Sequence, residues 1–125
     1  MADRKRILIA DDDGELNEML TGFLSTQDFD VVPVFNGKDA LQKAQNEKFD
    51  LLLLDVMMPY IDGYHVAYEI SNSDAENIPK IIIMTSRDVA SEKGIASLSG
   101  AYDAVQKPFE LEKLVLKIKE ALGEK

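Results

Sequence analysis

The chain has 125 residues, 46% apolar and 30% charged, with a formal net charge of −9 and no cysteine. That length makes one domain able to bury roughly two-thirds of the surface its unfolded chain exposes, and the mixture is globular rather than disordered. The carboxylate excess argues against nucleic acid or anionic membrane as a direct partner, since both need clustered Lys and Arg, and the missing cysteines exclude disulfides and thiolate metal centres.

Short apolar runs alternate with segments of helical period. Residues 7–10 (ILIA) read as a first strand, and Leu16, Leu20, Phe23 and Leu24 repeat at three and four as a helix. Residues 31–35 (VVPVF) form a second strand, where Pro33 marks a sheet edge because proline cannot donate to a ladder. A helix over 38–46 leads to residues 51–54 (LLLL), and a helix over 64–71 leads to residues 81–84 (IIIM). Both runs are apolar without alternation, as in strands covered on two faces. The helix over 89–98 is weak, since Gly94 costs about 1 kcal/mol relative to alanine. Residues 104–106 form a fifth strand, and Leu111, Leu114, Val115, Ile118 and Leu122 mark a last amphipathic helix. Five βα units predict a parallel sheet with helices on both faces.

Open sheets of this kind bind ligands beyond the carboxyl ends of their strands. The residues leaving those ends are Asp11, Asp12 and Asp13, then Asp55, Thr85 and Lys107. Crowded carboxylates resist ionisation unless a cation joins them, and Mg2+, a hard ion that takes carboxylates, water and phosphate oxygens, suits them. Asp12 and Asp55 are expected as direct ligands, Asp11 through a coordinated water, and the Met57 carbonyl as a further ligand. Asp55 is then a candidate nucleophile able to form an acyl phosphate. Lys107 and the Thr85 hydroxyl are placed to neutralise phosphoryl oxygens.

The runs ILIADDD, LLLLDVMMPYIDG, IIIMTSR and GAYDAVQKPF, with 43 residues from Asp12 to Asp55, 30 to Thr85 and 22 more to Lys107, resemble a response-regulator receiver domain of two-component signalling. The likeness extends over essentially all of residues 1–125. It implies a flavodoxin-like α/β fold with strand order 2-1-3-4-5 and five helices, and a cis Lys107–Pro108 bond. It also implies that a histidine kinase or phosphotransfer protein donates a phosphoryl group to Asp55. The chain would then be a switch for a downstream protein target, catalysing only its own phosphorylation and dephosphorylation. MADRKR lacks an apolar leader region and no stretch approaches the roughly 18 apolar residues of a membrane span, so a cytoplasmic protein is expected. Ending at ALGEK, it reads as a stand-alone regulator or a piece of a longer protein.

Two features depart from the family pattern. Receivers usually carry an aromatic three residues before the lysine; here that residue is Ala104, with Tyr102 two positions earlier. Met57 and Arg87, each two residues beyond a site residue, offer no acid or amide to orient water, which predicts slow self-dephosphorylation. Leu16 and Met19 widen the first helix's stripe towards Asp12, either as core edge or as a docking patch for the donor. His65 reads as a surface residue without a role, and the charges of the last helix as a solvated face. Two other readings compete: a phosphatase resembling the haloacid dehalogenase group, with Asp11 as nucleophile and Asp13 as acid, and a degenerate receiver used only for protein contact.

Overall fold

A computed structural model describes residues 4–58, 61–73 and 78–123. Pro59 and Tyr60, which the sequence assigns to the loop over Asp55, lie outside the described residues. Strands and helices alternate as β1 (Lys5–Ala10), α1 (Gly14–Ser25), β2 (Phe29–Val34), α2 (Gly37–Asn46), β3 (Leu51–Asp55), α3 (Gly63–Ser71), β4 (Lys80–Thr85), α4 (Val89–Leu98), β5 (Asp103–Gln106) and α5 (Leu111–Ala121). All pairings are parallel in the order β2-β1-β3-β4-β5, the flavodoxin-like order. Pro33 lies on β2, an edge strand whose one partner is β1.

Side chains alternate across a strand, so the unbroken apolar runs feed two cores. Ile7, Ile9, Leu51, Leu53, Ile82, Met84 and Val105 pack with α1 and α5. Leu8, Ala10, Leu52, Leu54, Ile81, Ile83 and Ala104 pack on the other face, with α2, α3 and α4. The second strand runs two residues earlier than its apolar letters suggest, because buried Phe29 opens it. The fifth opens at Asp103, which is bonded to Lys117 at 2.7 Å.

Helices begin at the edge where the strands end. Asp13, Asn36, Asp62 and Asp88 accept from first-turn N–H groups of α1 to α4, satisfying donors that would otherwise be orphaned. Asp13 is therefore a helix cap. Asp11 and Asp12 are not.

Candidate functional site

Continuing the alternation past each strand end sorts the site residues by face. Asp11 follows Ile7 and Ile9, Asp55 follows Leu51 and Leu53, and Lys107 follows Val105, all in phase with the α1–α5 core. Burial of those leucines and isoleucines thus delivers two carboxylates and an ammonium to one point. The Lys107 Nζ donates to Asp11 Oδ2 at 2.8 Å and to Asp55 Oδ1 at 3.2 Å. Asp11 is fully buried and its Oδ1 accepts from the Asp13 N–H at 2.9 Å. One oxygen from each of Asp11, Asp12 and Asp55 lies within 4.8 Å of the others. Asp12 is the exposed member of this group. The Lys107–Pro108 bond is cis, as the resemblance implies.

The electrostatics follow from burial. Asp55 is pushed up to about 6, first by burial and then by the Asp11 carboxylate, against the pull of Lys107 and of the Met57 N–H that it accepts. Burial would draw the Lys107 ammonium down, but its two carboxylate partners outweigh that and hold it above its usual value. This cluster carries more negative charge than one ammonium balances, and its ligand atoms are all hard oxygens, a set suited to a small divalent cation.

Asn17 was not singled out by sequence reasoning. It is fully buried on α1, and its Nδ2 donates to the carbonyls of Asp11 at 3.1 Å and Val34 at 2.7 Å. The Thr21 hydroxyl in turn donates to Asn17 Oδ1 at 3.3 Å. One amide therefore pins the exits of β1 and β2 to α1. The signal was available, since Asn17 occupies the same helical phase as Leu20 and Leu24 and a polar residue there needs partners.

Gly63 opens α3 against the end of β3. A Cβ at this position would collide with the Asp55 carbonyl oxygen and approach Val56 Cα at 2.8 Å, so the close approach requires glycine.

Thr85 is in phase with Ile81 and Ile83, hence on the α4 side, and is fully buried. Its hydroxyl accepts from the Arg87 N–H at 3.0 Å, and its carbonyl accepts from the Lys107 N–H at 2.6 Å. Arg87 reaches Met57 Sδ at 3.8 Å and Glu92 at 3.7 Å. A cavity of about 710 Å³ runs from Asp12 past Met57 to Arg87, Glu92 and Tyr64. Ala104 is buried, while Tyr102 is exposed, with its hydroxyl 3.4 Å from Glu120 on α5 and its ring 5.4 Å from the Lys80 ammonium. The threonine–aromatic pair of the family pattern is thus missing, and Tyr102 does not replace it.

On the other side, Leu16, Met19, Pro108, Phe109 and Leu111 line an apolar groove of about 630 Å³ that reaches Lys107. His65 is exposed, 3.7 Å from Glu69 within the same helix. Among the charges of α5 expected to form a solvated face, Lys117 reaches Asp103 on β5 at 2.7 Å. The phosphatase reading finds no support: Asp11 has no exposed surface, and both its oxygens already accept hydrogen bonds.

The family model described as response regulator receiver domain matches residues 7–119. A CpxR homolog of Haemophilus influenzae, a transcriptional regulatory protein, is 38% identical over 94% of this chain and 50% of its own length. Response regulator MprA of Mycobacterium ulcerans is 37% identical with the same coverage. The chain spans about half the length of these curated relatives. Chemotaxis response regulator CheY4 of Vibrio cholerae superposes with a TM-score of 0.89 at 25% identity, over 95% of this chain and 99% of that one. Response regulator TrrA of Thermotoga maritima, solved in complex with Mg2+–BeF, gives 0.84 at 33% identity, over 94% and 99%.

Proposed function

The chain belongs to the response-regulator receiver family as a phosphoacceptor switch, and from that premise we propose that Asp55 takes a phosphoryl group from a phosphohistidine in a Mg2+-dependent reaction. The observation that carries this reading is the Lys107 ammonium bridging Asp11 and Asp55 beside a third carboxylate, Asp12. An Asp55 oxygen forms the new P–O bond while the donor's P–N bond breaks, its electron pair returning to the imidazole nitrogen. Lys107 neutralises one equatorial oxygen of the group in transfer, and the Thr85 hydroxyl donates to another. Residues 1–125 act as one receiver domain that catalyses only its own phosphorylation and dephosphorylation.

Asp12, Asp55 and the Met57 carbonyl would hold the ion, with Asp11 acting through a coordinated water, since both Asp11 oxygens are occupied. When bound, Mg2+ withdraws charge from a phosphoryl oxygen and lowers the repulsion between donor and acceptor. Incubation with acetyl phosphate is expected to add one phosphoryl group per chain, by intact mass. That addition should vanish in Asp55→Asn and on chelation of the cation; steady phosphate release with no labelled protein would refute the reading.

The donor is a histidine kinase or a phosphotransfer protein, and the apolar groove beside Lys107 is its docking place. Replacing Leu16 and Met19 with serine is expected to slow transfer from a protein donor about tenfold or more, the effect of roughly 1.4 kcal/mol. Labelling by acetyl phosphate should be unchanged. Equal slowing by both donors would remove the groove from this role. Met57 and Arg87 position no water, so the acyl phosphate should outlast minutes, and loss of label within seconds would contradict that. The output is a protein target in the cytoplasm; among the described residues no helix is long and apolar enough to cross a membrane.

A further inference from the structure

The first turn of α4 is tied to α3 and to the acceptor loop by one chain of contacts. The Tyr64 hydroxyl on α3 donates to Glu92 Oε1 at 2.9 Å, and Arg87 lies 3.7 Å from the same oxygen. Arg87 also contacts the sulfur of Met57, two residues beyond Asp55, and its own N–H donates to Thr85 Oγ1. Glu92 is only 13% exposed, whereas Arg87 is 58% exposed and free to swing. Arg87, Glu92, Tyr64 and Asp12 line one cavity.

Resting on Asp55 as the phosphoacceptor, we propose that Arg87 is an exchange residue: it leaves Glu92 for the phosphoryl group and thereby unties α4 from α3. Arg87 is held at present by a soft thioether and by a carboxylate beyond ordinary hydrogen-bond length. A dianionic group on Asp55, whose carboxylate lies within 4.8 Å of that of Asp12 in the cavity lining, is the stronger partner and can accept the planar fork of a guanidinium. Glu92 would then keep a nearly buried charge with only the Tyr64 hydroxyl to satisfy it, which is unfavourable. The carboxylate turns out to water and the first turn of α4 moves with it. Tyr64 stays protonated throughout, since burial and then Glu92 push its phenol up to about 12. With Ala104 facing α4, no aromatic side chain at that position transmits the state of Thr85, and this polar tie takes over the task.

The test is hydrogen exchange across residues 88–98 of the full chain, with and without Mg2+ and beryllofluoride, with acetyl-phosphate uptake followed by mass. Occupancy of Asp55 should raise exchange there several-fold. Arg87→Ala should show the raised exchange already without beryllofluoride, and no further rise with it. Glu92→Gln, which keeps an acceptor for Tyr64 but no charge, should take up phosphate and leave α4 protected. Uptake by the unaltered chain with exchange over 88–98 unchanged would overturn the exchange alone, as would an Arg87→Ala response equal to that of the parent. Absence of phosphoryl uptake at Asp55 would sink both this inference and the function it rests on.

Discussion

Helices α4 and α5 both flank β5 and are nearly equal in length, yet the chain holds them by different means. α5 buries Leu114, Val115, Ile118 and Ala121 against the sheet. α4 buries only Ala96, leaves Ile95 and Leu98 at 48% and 83% exposure, and carries Gly94 with open space around it. The side of the sheet that α5 covers is also the side whose alternation delivers Asp11, Asp55 and Lys107. Thr85 and Ala104 belong to the side that α4 covers. Asp11, Lys107 and the proposed acceptor Asp55 are thus fixed by hydrophobic burial, which a phosphoryl group on Asp55 would not undo. The neighbouring helix is fixed by ionisable and hydrogen-bonded side chains, which a new charge can rearrange. A switch needs both, and this fold separates them by strand parity.

Truncating one side chain on each helix is the largest test of that contrast. Ile118→Ala empties a fully buried site and is expected to cost about 2–5 kcal/mol. Ile95→Ala should stay within about 0.5 kcal/mol, as exposed substitutions do. Urea denaturation measures both, and similar losses at the two positions would abolish the distinction between a packed helix and a tethered one.

Asn17→Ala sharpens the comparison on the rigid side. Its loss leaves the carbonyls of Asp11 and Val34 without the amide that binds them. A cost of about 1–3 kcal/mol is expected. Weaker Mg2+ binding, by titration, should accompany it, since Asp11 and Asp12 stand at the released end of β1. Lower stability with unchanged cation affinity would make Asn17 a packing residue only.

Why the convergence of Asp11, Asp12, Asp55 and Lys107 was readable in the letters while Asn17 and the α4 tie were not has a physical cause. A buried parallel strand writes itself as a continuous apolar run, and the residue ending it is found by counting; LLLL followed by Asp55 is the clearest case. Boundaries were blurred where a buried aromatic such as Phe29 lengthened a strand that Val31 seemed to begin. Asn17 was hidden because its partners are main-chain carbonyls, which carry no letter. The Tyr64–Glu92–Arg87 contact joins residues 28 positions apart on two helices, and nothing in local periodicity brings α3 beside α4. Lys117 belongs in the letters to a solvated helix face, whereas its bond to Asp103 depends on where β5 lies.

Gly94→Ala is the smallest change and asks how far α4 belongs to the rest of the fold. Nothing lies within 4 Å of a Cβ built there, so the methyl meets no obstacle and the helix gains about 0.5–1 kcal/mol. If α4 unfolds only with the whole domain, the entire gain appears as a higher urea midpoint. If α4 opens on its own, held by polar ties over a single buried alanine, global unfolding starts from a state in which α4 already frays. The midpoint then moves little, while amide exchange over residues 89–98 slows about 2–5-fold, the same free energy read locally. The second outcome is expected, and a stiffer α4 should also respond less to an occupied Asp55. A full shift of the midpoint with no local slowing would place α4 in the cooperative core beside α5, and the separation of fixed chemistry from movable surface would have to be sought elsewhere in the molecule.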